Sequence, residues 1–376
     1  MEEVKKSNWQ KVKLGEIAIN FDNQRIPIAL INRKKLKKIY PYYGAQGIID
    51  YVEDYIFDGE YLLVAEDGEN LKSQNQNIVN FVNGKFWVNN HSHILQANKI
   101  SETKFLYYSL SCLNIKPLIT GSAQPKLTKE NLNLIEISLP PLGTQKQISR
   151  VLSLLDDKIE LNRKIAAELE LLARTLYDWH FVQNRNAEWK VEKLEDLLKF
   201  EKGSEPGSTA YSDTQENENF VKFYRVGDID GNCKTWVDKT AHDLVFVKPD
   251  EVVVTFDGSV GKIGIGLEGA ISSGLQKISD PTGIFANALI WLIFSDTKIV
   301  ATIEQYATGS VLKHASRAIN YLKLSIPDTA ALVKFSEAAK PIFAQIVQAR
   351  RQSANLAKLR DFLLPLMMSG EVEIGL

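Results

Sequence analysis

Two long stretches of the chain carry apolar residues at alternating spacings of four and three. After Pro140-Pro141, where Gly143-Thr144 is placed to cap a helix, the series runs Ile148, Leu152, Leu155, Ile159, Asn162, Ala166, Leu169, Ala173 and Leu176. That rhythm is the heptad seam of a coiled coil. Near the other end Phe335, Ala339, Ile342, Ile346, Ala349, Ser353, Leu356 and Leu363 repeat it, Arg360 interrupts it, and Pro365 marks the expected helix end. An amphipathic helix of this length has too much apolar stripe to leave in water, and the simplest partner for each stripe is the other one. Similarly oriented halves related by pseudo-twofold symmetry would make the two helices antiparallel, with Asn162 at a seam position fixing their register. At about 1.5 Å per residue each spans roughly 50 Å.

Between and before these helices the pattern changes to short β-prone runs. Tyr61-Leu62-Leu63-Val64-Ala65 and Val252-Val253-Val254-Thr255-Phe256 are each closed by an Asp-Gly turn signal. Gly258, Gly261, Gly264 and Gly266 imply further tight turns. The two halves also echo each other in order. Trp9-Gln10-Lys11-Val12-Lys13-Leu14-Gly15-Glu16-Ile17 corresponds to Trp189-Lys190-Val191-Glu192-Lys193-Leu194-Glu195-Asp196-Leu197 at an offset of 180. Val64-Ala65-Glu66-Asp67-Gly68 corresponds to Val254-Thr255-Phe256-Asp257-Gly258 at 190, and Thr120-Gly121-Ser122 to Thr308-Gly309-Ser310 at 188. From Leu139-Pro140 against Ile326-Pro327 the offset holds at 187, as an ungapped helix requires. The expected architecture is α+β: two similar β-rich lobes separated by two long antiparallel helices forming a coiled coil, a pseudo-twofold internal repeat. Its boundaries are a lobe over residues 1–143, a helix over 144–184, a lobe over 185–330 and a helix over 331–376.

Composition narrows the class. With 376 residues, 44% hydrophobic and 24% charged, the chain fits two globular domains and not a disordered or fibrous protein. The longest apolar run, residues 286–294, is too short to cross a bilayer, and the first residues lack an apolar signal region, so a cytoplasmic location and no membrane partner are expected. Cys112 and Cys233, the two cysteines, form neither a disulfide framework nor a thiolate metal site. A net charge of −1 argues by itself against nucleic acid. Any DNA affinity must come from local patches or from a partner that shares the phosphate contacts.

A rigid spacer between two similar but non-identical lobes suits a ligand that is long, periodic and read at two places, as duplex DNA is, with about 34 Å per helical turn. The residues then carry a family resemblance. Leu139-Pro140-Pro141-Leu142-Gly143-Thr144-Gln145-Lys146-Gln147-Ile148, followed by Leu154-Leu155-Asp156-Asp157-Lys158-Ile159-Glu160-Leu161-Asn162, resembles the central conserved region of type I restriction-modification specificity subunits. Leu363-Leu364-Pro365-Leu366-Met367-Met368-Ser369-Gly370-Glu371-Val372 is similar to that family's C-terminal signature. Tyr40-Pro41-Tyr42-Tyr43-Gly44-Ala45-Gln46-Gly47-Ile48-Ile49 with Phe57-Asp58-Gly59-Glu60-Tyr61 resembles a target-recognition lobe, and Gly269-Ala270-Ile271-Ser272-Ser273-Gly274-Leu275-Gln276 resembles another. The resemblance implies a non-catalytic subunit that binds a split DNA sequence, one lobe per half-site. It further implies docking of two methyltransferase (modification) subunits, which bring S-adenosylmethionine and methylate adenine, and of restriction subunits. The chain itself is expected to hold no cofactor or metal. The second helix departs from the pattern, lacking the Pro-Pro start and the Asp-Asp-Lys-Ile-Glu-Leu-Asn stretch.

Candidate DNA contacts follow from residue chemistry. Arg33, Lys34, Lys35, Lys37 and Lys38 form the densest basic run and suit a phosphate edge, with Tyr43 and Gln46 beside it. Asn89, Asn90, His91 and His93 in the first lobe, and Ser272, Ser273, Gln276 and Lys277 at the comparable place in the second, offer donors and acceptors to base edges. Gln124 and Lys126, matched by Lys313, His314 and nearby Arg317, sit in Gly-Ser loops suited to phosphate. Each of these is also what an ordinary solvated loop or turn contains. The Gly258–Gly266 stretch fails the P-loop and Rossmann spacings, so Ser259 and Lys262 are read as turn residues facing DNA and not as a nucleotide site.

Two rival readings remain at this point. A self-contained methyltransferase or nuclease would use carboxylate pairs such as Asp156-Asp157 or Glu66-Asp67, but no Asn-Pro-Pro-aromatic or Asp-Pro-Pro-aromatic motif is present, and Asp156-Asp157 is expected on a solvent-facing helix surface. A coiled-coil protein-interaction scaffold without DNA specificity is the other. Near-neutral charge favours it slightly, and the ordered motifs favour DNA more.

Overall fold

The computed structural model describes residues 9–121, 124–230, 233–309 and 313–372. They fall into two compact units, Met1–Asp157 with Ala357–Leu376, and Lys158–Leu356. Both mix sheet and helix.

In the first unit a six-stranded sheet has the order Ala18–Asn20, Ser92–Ala97, Phe57–Ala65, Val79–Val88, Tyr40–Gly44, Gly47–Val52. All neighbours are antiparallel except Tyr40–Gly44 with Val79–Val88. The uninterrupted apolar run in Phe57–Ala65 has a simple cause: both faces are covered. Leu62 and Val64 pack with Phe105 and Leu106 of the helix Thr103–Cys112, whereas Leu63 turns to Phe57, Phe86 and Ile94.

The second unit repeats this logic with shorter strands. One sheet runs Lys199–Lys202, Leu275–Ser279, Val252–Thr255, Ile263–Gly264, and a second runs Tyr211–Ser212, Trp236–Asp238, Phe220–Tyr224, Gly269–Ile271, Val245–Val247. Val252 and Val254 join one apolar cluster and Val253 joins another. The longest apolar run of the sequence forms the helix Asn287–Ser295, buried all round from Ala288 to Phe294.

Each unit is closed in the same way. Gln10–Lys13 pairs antiparallel with Glu136–Leu139, and Lys190–Lys193 with Lys323–Ile326. A backbone bond follows at the same place in both, Leu14 N to Ile135 O at 2.8 Å and Leu194 N to Leu322 O at 2.9 Å. The Trp-led segments are thus the first elements of their lobes.

The two periodic stretches form the helices Leu142–Tyr177, extended by a π-helical turn over Asp178–Gln183, and Thr329–Ser369. The first helix begins at Leu142, so Gly143-Thr144 lies inside its first turn and does not cap it. In the second unit Asn162 reaches Gln352 at 3.4 Å, Glu170 meets Arg350 at 2.6 Å, and the Tyr177 and Phe335 rings lie 6.4 Å apart. Partner numbers fall as the first helix advances, so the segments run antiparallel there. In the first unit Asp156 meets Arg360 at 2.7 Å, and Ile148 and Leu152 share a core with Met367.

Two seam expectations need correction. Leu176 is exposed and Tyr177 is buried in its place, followed by Phe181. An α-helix drifts by about 20° per heptad against a strict seven-residue repeat, and after four heptads the buried stripe has moved on by one residue. Pro365 does not end its helix. It lies on an exposed position, as Pro341 does, and the helix continues to Ser369. Termination falls to Gly370, at φ 73°, with Glu371 N bonding back to Leu366 O at 3.0 Å. Among the described residues no helix is long and apolar enough to cross a membrane.

Candidate nucleic-acid interface

Sequence segments that match across the halves meet in space within each unit. In the first, the turn Glu66-Asp67-Gly68 receives the loop after Thr120: Gly68 N bonds Pro125 O at 3.2 Å and Leu127 N bonds Glu66 O at 2.8 Å. Thr120 and Lys126 exchange two backbone bonds, both 2.8 Å. In the second, Gly258 N bonds Lys313 O at 2.8 Å, Ala315 N bonds Phe256 O at 2.7 Å, and Thr308 and His314 exchange bonds of 3.0 and 2.7 Å. A further pair recurs, Asn89 N to Tyr43 O at 3.0 Å and Ser272 N to Tyr224 O at 2.9 Å. Ser122, Ala123, Ser310, Val311 and Leu312 of the matched loops lie outside the described residues.

This scaffold sorts the candidate contacts. Asn90, His91, Gln124 and Lys126 are exposed at the first clamp, and Ser259, Lys262, Lys313, His314 and Arg317 in the corresponding segments of the second. Gln46 is exposed at the tip of the hairpin Tyr40–Gly44 to Gly47–Val52, whose Gly47 adopts φ 115°. Other candidates turn inward. Asn89, His93, Ser272 and Gln276 are buried, each lying on or beside a strand. Asn89 Oδ1 accepts from His91 N at 2.8 Å, and Gln276 Nε2 approaches Ser316 Oγ at 3.5 Å. Ser273 bonds Glu205 at 3.1 Å, Lys277 pairs with Glu201 at 3.3 Å, and the half-buried Tyr43 ring packs edge-on against Phe86. The four buried residues lie behind the surface, and Tyr43, Ser273 and Lys277 are partly exposed in it.

The basic run divides as well. Arg33, only 12% exposed, lies 3.5 Å from Asp50 and over the Tyr42 ring, and Lys38 bonds Asp50 at 2.8 Å. The hydrogen bond from Lys38, with the amide of Tyr51 and despite some desolvation, holds the Asp50 carboxyl below its usual range. Lys34, Lys35 and Lys37 remain exposed as the phosphate-capable part.

Behind the first clamp lies a charged network that the sequence does not announce. Arg25 donates to Glu66 at 2.5 Å and to the carbonyl oxygens of Ser92 and Asp22 at 2.9 and 3.0 Å. Buried His93 faces Asp22 Oδ2 at 2.6 Å through Nδ1 and the Leu127 carbonyl at 2.8 Å through Nε2. Lys126 completes the set at 3.1 Å from Glu66. Burial pushes the Asp22 and Glu66 carboxyls up, but His93 and the Ile94 amide at Asp22, and Arg25 and Lys126 at Glu66, more than offset it, so both sit below their ordinary values. Strand register places Gln276 where the first unit has His93, and the clamp places Phe256 at Glu66 and His314 at Lys126. Among the described residues the network therefore belongs to the first lobe alone.

Asp156 also departs from expectation. It accepts from Tyr108 Oη and from Arg360, both at 2.7 Å, and so joins the helix pair to the lobe within the first unit. Burial and this hydrogen bond raise the Tyr108 hydroxyl well above its usual range. On the first long helix a second apolar stripe, Leu161, Ile165, Leu172 and Leu176, is exposed at spacings of four, seven and four. Leu176 belongs to this outer stripe.

Comparison with known proteins agrees with these features. The family model for the type I restriction modification DNA specificity domain matches residues 6–171. A putative type I restriction enzyme specificity subunit of Haemophilus influenzae is 38% identical over 142 residues, 38% of this chain and 36% of that protein. The MjaVIII specificity subunit of Methanocaldococcus jannaschii is 20% identical over 418 residues, covering 98% of this chain and 93% of the relative. The fold is similar to the crystal structure of a type I restriction-modification system S subunit from M. genitalium, with TM-score 0.64 at 15% identity over 96% of both chains. Residues 6–171 thus carry a type I restriction modification DNA specificity domain, and along its length the chain is similar to type I restriction enzyme specificity subunits.

Proposed function

We propose that the chain gives a type I restriction-modification complex its DNA sequence specificity, each lobe reading one half of a split target and the paired helices fixing the gap between the halves. The observation that carries this reading is the duplicated clamp. Two remote segments are tied by the same backbone bonds in both units, while the side chains they expose differ. A shared frame with different exposed residues is what reading two different half-sites requires. Net charge near zero then fits contacts confined to small patches, with modification subunits sharing the phosphate backbone.

The chain supplies no catalytic group of its own in this reading. Modification subunits bring S-adenosylmethionine and the methyl-transfer chemistry, and restriction subunits join the same core. The exposed stripe Leu161, Ile165, Leu172 and Leu176 offers a modification subunit an apolar helix face. Replacing Leu161 and Leu172 together by serine is expected to leave the chain folded and to lower co-purification with modification subunits about tenfold or more. Unchanged recovery would remove that face from the docking surface.

Co-expression with modification subunits, followed by mapping of methylated adenines, tests the function itself. A split motif is expected. A continuous motif, or methylation by the chain alone, contradicts it, and salt-insensitive duplex binding by the complex would favour a protein-interaction scaffold.

A further inference from the structure

The sequence contains five histidines, and two of them rest on corresponding aspartates of the two lobes. His91 Nδ1 lies 2.7 Å from Asp67 Oδ2, and His314 Nδ1 lies 2.8 Å from Asp257 Oδ1. Asp67 and Asp257 are equivalent by position: each precedes the turn glycine of its clamp and makes an isolated β-bridge to the returning loop, to Lys126 and His314 respectively. The histidines are not equivalent. His91 comes from the segment between strands Val79–Val88 and Ser92–Ala97, whereas His314 comes from the returning loop itself. Different segments thus deliver the same side chain to the same carboxylate.

The substitutions around each pair make that convergence intelligible. In the first lobe the bridge residue is Lys126, which is drawn to Glu66 at 3.1 Å and leaves Asp67 to His91. In the second lobe Phe256 stands at the Glu66 position and offers no carboxylate, and the bridge residue is itself the histidine that takes Asp257.

The pairing has a chemical consequence. A carboxylate only accepts, so Nδ1 carries a proton in both pairs and each ring is held in one orientation. Both rings are exposed, at 47% and 57%, over carboxylates that are 21% and 17% exposed. Among the described residues neither Nε2 has a hydrogen-bond partner. A polar edge of fixed orientation on an exposed side chain is what reading a base edge needs. A phosphate contact needs only charge.

We propose that His91 and His314 are specificity-determining residues, one per lobe, each anchored through Nδ1 by Asp67 or Asp257 and each presenting Nε2 to a base edge of the duplex half-site its lobe reads. The assignment rests on the one-lobe-per-half-site reading given above and adds the atoms that would discriminate. Asp67 and Asp257 are positioning residues in it.

The test uses the complete complex with modification subunits, methylating a library in which both half-sites are randomised. His91→Ala is expected to relax discrimination at one base pair of the first lobe's half-site by about tenfold, with the other half-site unchanged. His314→Ala is expected to do the reverse. Asp67→Ala should relax the same base pair as His91→Ala, which a merely structural role for the carboxylate would not produce. Because both rings are exposed, the variants should co-purify with modification subunits at wild-type yield. Base preferences left intact by both histidine variants overturn the proposal. Uniform weakening over all sequences with a shallower salt dependence overturns it too, by identifying phosphate contacts. Exchange of residues 1–143 in the same assay separates the two readings. If that exchange alters both half-sites, the one-lobe reading falls; if it alters one half-site that His91→Ala does not touch, the histidine assignment alone falls.

Discussion

Replacing Arg25 by alanine is expected to destabilise the first lobe by about 2–4 kcal/mol. The guanidinium is 16% exposed and lies between Glu66, 13% exposed, and Asp22, 8% exposed. Its removal leaves two inward-facing carboxylates near each other and takes the donor from the Ser92 carbonyl. His93 and Lys126 stay in place and keep the loss below that of a fully orphaned charge. Thermal or denaturant unfolding at neutral pH measures the effect, and a change under about 0.5 kcal/mol, ordinary for a surface substitution, would contradict the assignment. The network also has a pH signature. Both carboxyls are held below their ordinary values, so their stabilisation is complete above the ordinary carboxylate range and is lost as pH falls through the lowered values. Without Arg25 the Glu66 value moves back up, so less is left to lose. The stability gap between wild type and Arg25→Ala should therefore narrow below about pH 4.

A second large effect is expected at Phe335→Ala, about 3–5 kcal/mol. Phe335 is 8% exposed and sits where the two long helices meet in the second unit, with ring centroids of Phe181 and His180 at 4.9 and 5.3 Å. Edge-to-face packing on Phe181 adds to the burial of the ring, and alanine leaves a cavity that the flanking helices fill only in part. A fall in melting temperature on the order of 10 °C is the expected reading. Val333→Ala, two residues earlier on the same helix but 41% exposed, serves as the control and should shift it little. Equal shifts for both would mean that Phe335 does not anchor the helix pair.

Much of the buried stripe of each long helix could be read from the sequence, because a seam repeated over many residues averages out local noise. Ile148, Leu152, Ile159, Phe335 and Ile346 are all buried, and Leu155, Leu169, Ile342, Leu356 and Leu363 are partly buried. Leu176 falls outside the buried stripe because a strict heptad repeat falls behind whole α-helical turns over that length, which brings Tyr177 inward. The duplication was legible too, and its drifting offsets are realised as matching backbone bonds in both clamps.

Side-chain direction was not legible. The segment 89–93 reads as uniformly polar, yet His91 points outward and His93 inward, a choice made by Asp22, far away in sequence. Arg25 carries no local signal, since Glu66 and Ser92 reach it only once the sheet has formed. Likewise the basic run around Lys34 says nothing of Asp50, which draws in Arg33 and Lys38 and leaves the intervening lysines to solvent.

The most direct measurement is an exchange of residues 1–143 for the corresponding lobe of a specificity subunit with a different known target. The hybrid is co-expressed with modification subunits and its methylated adenines are mapped. One half of the split motif should change while the other half and the gap between them stay as they were. A change in both halves, or in the gap alone, would mean that the two lobes do not read separate half-sites.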